Sequence, residues 1–187
     1  MIKFFLILII FLFPFIAESQ NSAVLVEEFV QANNNRDKDK VHELLHEDFQ
    51  QLYDKQVTIE SKKDYMNHYE WGIVMNDLLK IEIIAQQENK IVAKAKYFSD
   101  RDRLLKLGPY KSINVYVLKN NQIISIIDKG LQTDTSKEQS RLKAYELFRE
   151  WMKEKYNLSF SDFTFDQEGA NKLKKVLTEY VEKTVSR

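Results

Sequence analysis

The sequence contains no cysteine among its 187 residues. This absence excludes disulfide bonds, thiolate metal sites, a cysteine nucleophile and a lipid-modified N-terminal cysteine. The chain has only four glycines, and none forms a glycine-rich phosphate-binding loop. Its three scattered histidines give no basis for a Ser-His-Asp arrangement. Several common kinds of active site are therefore absent from the sequence, and no motif for a cofactor is present.

Neither sign of charge predominates, because 28 Lys and Arg residues balance 28 Asp and Glu residues. A balanced chain has no net field that attracts nucleic acid or an anionic membrane. Hydrophobic residues make up 44% of the chain and charged residues 30%, which fits one globular domain with a buried core. We therefore expect no nucleic-acid partner, and no membrane partner for the mature protein.

The first 19 residues are typical of a cleaved secretory signal. A short basic start is followed by the apolar run FFLILIIFLFPFIA, which Pro14 interrupts. The run is shorter than the roughly 20 apolar residues of a membrane-spanning helix. Ala17 and Ser19 are small residues at the two positions that a signal peptidase reads. We expect an exported protein, periplasmic or secreted, that begins at Gln20; an uncleaved membrane anchor is the alternative.

The clearest structural pattern is a β-hairpin from Lys111 to Lys129. Two runs rich in β-branched residues flank Asn120 and Asn121, a pair that tolerates the positive φ angles of a type I′ turn. Alternation predicts one mixed face and one aliphatic face. The mixed face comprises Ser112, Asn114, Tyr116, Leu118, Ile123, Ser125 and Ile127, and the aliphatic face Ile113, Val115, Val117, Ile124 and Ile126. We expect the mixed face to line a pocket and the aliphatic face to require a cover.

The remaining elements follow from hydrophobic periodicity. Helices are predicted over 23–33, 40–46 and 62–74, and a strand from 48 to 53. Two alternating strands, joined by a three-residue loop with Asn89 in the left-handed region, place Leu79, Ile81, Ile83 and Ala85 on the face of Ala93 and Ala95. These two small alanines indicate a close helix contact or a cavity. Residues 100–107 are predicted as a charged connection, and two helices follow residue 133.

This order of elements resembles the nuclear transport factor 2-like fold, also called SnoaL-like. Over Ala23 to Val181 the chain is similar to a widespread bacterial group of that superfamily. The similar residues are Glu70, Trp71, Asn76, Asp100, Leu105, Gly108, Pro109, Tyr116, Ile123, Ser125 and Ile126, with Phe148, Trp151, Phe163, Phe165, Asn171, Leu173 and Leu177 in the tail. The resemblance implies an α+β fold: a cone of curved antiparallel sheet packed on N-terminal helices over 20–132, with a C-terminal helical hairpin over 133–187.

The resemblance carries no settled activity over to this chain. The ketosteroid isomerases of the superfamily use a general-base Asp at the end of the first strand, where this sequence has Tyr53 followed by Asp54. Their protonated Asp of the oxyanion hole falls near Asn114. An Asn can donate a hydrogen bond, but a tyrosine at neutral pH cannot act as a carboxylate base. The isomerase pair is therefore not preserved, nor are the Asp and His pairs of polyketide cyclases and scytalone dehydratase.

His42-Glu43-Leu44-Leu45-His46 matches the H-E-x-x-H signature of zinc hydrolases. On one helix, two histidines four residues apart lie on one face and can bind zinc. The helix is short and ends in Glu47 and Asp48, and no flanking motif supplies a third ligand. We therefore expect no metal site, with His42 and His46 as weak candidates and zinc hydrolysis as the least favoured function.

Five residues are candidates for a ligand pocket in the cone: Tyr53, Trp71, Asp100, Asn114 and Tyr116. Asp100 is a base, a loop cap or a salt-bridge partner, and Asn114 and Tyr116 bond either a ligand or each other. The first hypothesis is an exported domain that binds a small apolar molecule. The second is a lyase or isomerase for a hydrophobic small molecule, with Asp100 as the candidate catalytic residue. The third is a homodimeric scaffold that associates through the outer sheet face.

Overall fold

The computed structural model describes residues 22–131 and 135–185, so the predicted signal segment and residues 132–134 of the linker lie outside it. Helix α1 spans residues 22–35. The elements that follow are α2 (Lys38–Leu44), β1 (Leu45–Tyr53), β2 (Gln56–Ile59), α3 (Lys62–Val74), β3 (Leu78–Gln87), β4 (Lys90–Phe98), α4 (Asp100–Leu104), β5 (Tyr110–Lys119), β6 (Gln122–Gly130), α5 (Thr135–Tyr156), a short 3₁₀-helix (Phe160–Asp162) and α6 (Gln167–Val185). The predicted α+β architecture is confirmed, with β2 and α4 as additional elements. Within the described ranges, no helix combines the length and hydrophobicity needed to cross a bilayer.

The six strands form one curved sheet in the order β2-β1-β6-β5-β4-β3. Neighbouring strands are antiparallel except β1 and β6, which pair in parallel. The expectation of a wholly antiparallel sheet was therefore wrong at this one junction. It arises because the chain makes the hairpins β3-β4 and β5-β6 and then returns beside the first strand, with which β6 runs in the same direction.

The predicted β5-β6 hairpin is confirmed, and both turn residues have positive φ angles, 53° at Asn120 and 57° at Asn121. A β-bulge then changes the register that simple alternation predicts. Leu118 pairs with Ile123 but Val117 pairs with Ser125, so Ile124 is an extra residue. An extra residue reverses the facing of every side chain beyond it. Ser125 and Ile127 therefore lie on the outer face, not the inner one, and the inner positions go to Ile126 and Asp128, both buried.

A second bulge occurs in the β3-β4 hairpin. Ile83 pairs with Ala93 and Ala85 pairs with Val92, so Ile84 is the extra residue. Ala85 consequently lies on the outer face, contrary to the predicted alternation. The connecting turn is also shorter than predicted, and Glu88 rather than Asn89 has the positive φ angle, 41°. The inner face keeps Ala93 and Ala95, which are fully buried.

The narrow end of the cone is filled by aromatic side chains. Phe29 of α1 lies edge-on to Tyr116 of β5, with ring centroids 6.4 Å apart. Tyr65 of α3 contacts Phe29 at 5.9 Å and Phe49 of β1 at 5.1 Å. These rings belong to the larger hydrophobic core, which joins α1, α2, α3 and the inner sheet face. The core closes the deep part of the cone and leaves its wider part for polar side chains.

The C-terminal helices build a second hydrophobic core on the opposite side of α3. Its buried members are Trp71, Met75, Phe148, Met152, Phe163, Ala170, Leu173 and Leu177. None of them belongs to the sheet, so the tail packs on α3 and α4. It does not provide the predicted cover for the aliphatic sheet face.

Two buried aspartates of α4 attach the tail electrostatically. Asp100 accepts hydrogen bonds from Lys174 of α6 at 2.7 Å, from Arg103 at 2.9 Å and from Asn76 at 2.6 Å. Asp102 accepts from Arg141 and Tyr145 of α5, each at 2.6 Å. Burial by itself would raise the pKa of Asp100, but its three donors, Lys174 first, outweigh burial and hold the pKa below its usual value.

We predict that Lys174→Met lowers the free energy of unfolding by about 1.5–3 kcal/mol at pH 7, the range for a hydrogen bond to a charged group. Lys174 also donates to the Val74 carbonyl at 2.7 Å. The stabilisation depends on ionised Asp100, whose pKa is lowered on folding. It is therefore present above the unfolded-state pKa of about 4 and is lost as the pH falls through the folded-state value.

Urea denaturation at pH 7 and at pH 3 measures this difference, with Lys175→Met, an exposed neighbour on α6, as the control. The difference between wild type and Lys174→Met should be smaller at pH 3. An equal loss of stability in both variants at pH 7 would show that the ion pair has no specific role.

Candidate functional site

A cavity of about 170 Å³ lies between α3, the residues that follow α1, and the inner face of the sheet. Its aromatic lining consists of Tyr65, His68, Tyr69 and Tyr97. Its other lining residues are Asn33, Asn34, Arg36, Gln51, Ile59, Gly72, Asp77, Leu78 and Leu79. The cavity is therefore walled by rings and carries amide, guanidinium and carboxylate groups at its edges. This combination is typical of a site for a small organic ligand.

A chain of hydrogen bonds runs along the inner face of β5 and reaches the cavity at Tyr97. Ser112 Oγ donates to Asn114 Oδ1 at 2.9 Å, and Asn114 Nδ2 donates to the Tyr97 hydroxyl at 2.5 Å and to the Tyr116 hydroxyl at 3.4 Å. Burial raises the pKa of Tyr97 well above its usual value and that of Tyr116 to about 12. Both hydroxyls are therefore protonated at neutral pH and remain able to donate.

A buried carboxyl group lies beside this chain at Asp128, opposite Asn114 on the neighbouring strand. The Tyr110 hydroxyl donates to Asp128 Oδ1 at 3.3 Å. Burial raises the pKa of Asp128, and the neighbouring polar groups of Ser112 and Tyr110 offset this only in part. A carboxylate whose pKa is raised accepts a proton more readily than an ordinary carboxylate, which suits general acid–base chemistry.

Two tyrosine hydroxyls lie close to Gly130, where β6 ends. A Cβ atom at Gly130 would lie 2.8 Å from the Tyr53 hydroxyl and 3.6 Å from the Tyr110 hydroxyl. The absence of a side chain at Gly130 leaves room for both phenols beside β6. Tyr53 is half exposed and forms the solvent side of the group. Tyr53, Tyr110 and Asp128 thus form a polar group at the wide end of the cone.

The five candidate pocket residues occupy four separate environments. Asn114 and Tyr116 contact each other inside the cone, and Tyr53 lies at its wide end. Trp71 is in the second core, where it contacts Phe165 of the tail at 5.2 Å. Asp100 is the salt-bridge partner of Lys174 and Arg103, one of the three roles considered from the sequence. Among the described residues, no contact joins Asp100 to Tyr53 or Asn114.

The H-E-x-x-H segment does not lie on one helix. Helix α2 ends at Leu44, and His46 belongs to strand β1. Glu43 pairs with Lys40 at 3.1 Å, and His46 Nδ1 accepts from the Asp48 amide at 3.1 Å. The two histidines therefore lack the common helical face on which the zinc hypothesis depends. Within 22–131 and 135–185, no three potential metal ligands form a group.

Asp128, Tyr110 and Tyr97 were not among the site residues predicted from the sequence. Asp128 was missed because uninterrupted alternation places Ile127 on the inner face, and the bulge at Ile124 reverses this facing. Tyr97 and Tyr110 pair across β4 and β5, with rings 6.0 Å apart. A tyrosine at the end of each strand was visible in the sequence, and the register of the two strands was the additional signal needed.

No family model matches the sequence, and no curated protein matches it significantly. Solved structures do match. A structure of an LEH-like epoxide hydrolase from M. tuberculosis is 15% identical, covers 68% of this chain and 94% of its own, and has a TM-score of 0.53. The structure of a proposed ketosteroid isomerase from Kribbella flavida is 10% identical, covers 63% of this chain and 82% of its own, and has a TM-score of 0.52. The structure of a proposed polyketide cyclase from Xanthomonas campestris is 13% identical, covers 66% of this chain and 98% of its own, and has a TM-score of 0.51.

At these identities the likeness concerns the fold and not the reaction. The curved, unclosed six-stranded sheet, the N-terminal helices inside it and the helical pair at the C-terminus agree with the architecture that the sequence predicts. The protein has the nuclear transport factor 2-like, or SnoaL-like, fold.

Proposed function

We propose that this domain binds a small, mainly apolar molecule in its cone. The observation that carries the proposal is the cavity walled by Tyr65, His68, Tyr69 and Tyr97. Its volume of about 170 Å³ is close to the roughly 150 Å³ of an engineered cavity that holds benzene. It is smaller than the roughly 300–1,000 Å³ of pockets for drug-sized ligands. A ligand with a single ring therefore fits best.

The names of the structural neighbours also support ligand binding. The structural neighbours are named as an epoxide hydrolase, a ketosteroid isomerase and a polyketide cyclase, and these names refer to small organic molecules. Export is part of the proposal and is supported by the apolar segment before Gln20. A product that remains in the cytoplasm would contradict export, and an exported product that retains residues 1–19 would contradict cleavage.

We predict that toluene shifts the amide NMR signals of the cavity residues, and that Leu79→Phe weakens its binding by roughly tenfold or more, a difference of about 1.4 kcal/mol. Leu79 lines the cavity, so a larger side chain there occupies the ligand's space. Leu147→Phe makes the same change at an exposed position on α5 and should leave binding unchanged. Wild-type protein whose cavity signals do not respond, or Leu79→Phe that binds as wild type, would contradict the proposal.

As a second function, we propose proton transfer on a hydrophobic carbonyl compound. The observation that favours it is the buried carboxyl group of Asp128. Asp100, the candidate from the sequence, has its carboxylate occupied by three donors, whereas the Asp128 carboxyl is buried beside the Tyr110 hydroxyl on the inner face. In this reaction the Asp128 carboxylate removes a proton from the carbon next to the carbonyl and returns one to the product.

Exchange of the α-hydrogens of cyclohexanone in D₂O, followed by NMR, measures this activity without knowledge of the natural substrate. We predict exchange above the buffer rate, loss of the excess in Asp128→Asn because an amide cannot accept the proton, and retention of it in Asp54→Asn. A wild-type rate equal to that of Asp128→Asn would exclude the function.

We also propose a homodimer through the outer sheet face, because an apolar row crosses all six strands. The row consists of Val57, Leu52, Ile127, Val115, Val92 and Ala85, each paired with the next. The rows beside it contain Gln50, Ser125 and Lys90 on one side and Lys94 and Lys129 on the other. An apolar centre with a polar rim is the usual anatomy of a protein interface.

We predict a dimer in light scattering at micromolar concentration and a monomer for Val115→Arg, because that change places a charge at the centre of the row. Val24→Arg is the control, since Val24 is an exposed valine of α1 away from the sheet face. A wild-type monomer at this concentration would remove the dimer proposal.

A further inference from the structure

Two buried polar atoms without hydrogen-bond partners belong to residues that line the cavity. In the part of the chain that the structure describes, the unpartnered buried side-chain atoms are Tyr69 Oη, Asp77 Oδ1, Gln86 Nε2 and Arg101 Nε. Tyr69 and Asp77 both line the cavity, and Tyr69 is only 5% exposed. Buried polar groups are nearly always hydrogen-bonded, so two exceptions at one cavity require an explanation.

Three other polar residues around the cavity, Asn33, Asn34 and Arg36, are bonded elsewhere. The Asn34 side chain accepts from the Leu79 amide at 2.9 Å and donates to the Leu79 carbonyl at 2.8 Å. Arg36 donates to the Asp77 main-chain carbonyl at 2.7 Å. Asn33 donates to the Phe29 carbonyl and accepts from the Tyr65 hydroxyl. These bonds hold the end of α1 against β3 and do not satisfy Tyr69 or Asp77.

The two unpartnered atoms have complementary hydrogen-bonding roles. Burial raises the pKa of Tyr69, so its phenol is protonated at neutral pH and has a proton to donate. Asp77 Oδ1 is a carboxylate oxygen, which accepts when ionised; burial raises the pKa of this group as well. A ligand hydroxyl group has both an oxygen that accepts and a proton that it donates.

We infer that the cavity selects a hydroxylated ring compound, such as a cyclic alcohol or a phenol. A hydroxyl oxygen of the ligand accepts a hydrogen bond from Tyr69, and a hydroxyl proton of the ligand is donated to Asp77. The ring of the ligand lies against Tyr65, His68 and Tyr97. The inference rests on the proposed ligand-binding function and narrows its ligand class. The description "mainly apolar" then applies to the ring of the ligand, and its hydroxyl groups provide the selectivity.

Resorcinol and m-xylene test the inference because they have the same shape and differ in having two hydroxyl or two methyl groups. We expect resorcinol to bind wild-type protein more tightly than m-xylene in an NMR titration. Tyr69→Phe and Asp77→Asn should each lower the affinity for resorcinol by roughly twofold to tenfold, the effect of one lost hydrogen bond. Both variants should leave the affinity for m-xylene within about twofold, since an apolar probe loses no hydrogen bond.

Tyr180→Phe is the control, because it removes the same hydroxyl group from a tyrosine in the second core. Equal affinities of wild type for the two probes would overturn the inference, since water would then satisfy Tyr69 and Asp77. Resorcinol binding that is unchanged in both variants would overturn it too. If neither probe shifts the cavity signals, the ligand-binding function itself fails, an outcome distinct from loss of selectivity.

Discussion

The pairing register between β5 and β6 is the constraint on which the candidate site depends. Because side chains alternate between faces, one extra residue at Ile124 brings Asp128 inside and moves Ile127 outside. The same step places Asp128 opposite Asn114 and next to the Tyr110 hydroxyl. Without the bulge, the aliphatic side chain of Ile127 would occupy the inner position that the Asp128 carboxyl group now has. Polarity at the wide end of the cone thus follows from a local irregularity.

The third helix is the wall shared by the two cores. Tyr65 and Tyr69 face the cavity, whereas Trp71 and Met75 pack against the tail. Phe165 of the tail stacks on His68, with ring centroids 4.7 Å apart, and His68 also lines the cavity. A change in tail packing therefore has a direct physical route to the cavity wall. The buried aspartates Asp100 and Asp102 hold the tail in this position.

Polar groups inside the cone are stabilised by one another, which explains how a small domain keeps them buried. Ser112, Asn114, Tyr97 and Tyr116 form one connected set, and each hydroxyl or amide has a partner within it. A connected set avoids most of the cost of burying unpaired groups. Tyr69 and Asp77 lie outside this set, at the cavity, which separates the structural polar groups from those available to a ligand.

Local chemistry in the sequence determined most of the elements. The Asn120-Asn121 turn, the Ser61 cap of α3 and the Asp166 cap of α6 follow from residue types, whereas the short elements β2 and α4 were not predicted. The tertiary structure alone decided the register of the strands and which side chains contact one another. The bulges at Ile84 and Ile124, the parallel β1-β6 pairing, the separation of Trp71 and Asp100 from Asn114, and the position of Tyr53 and Tyr110 beside Gly130 all depend on how strands and helices pack together. Periodicity describes which way a side chain points along one strand, and an inserted residue or a packed helix changes that direction without any local signal.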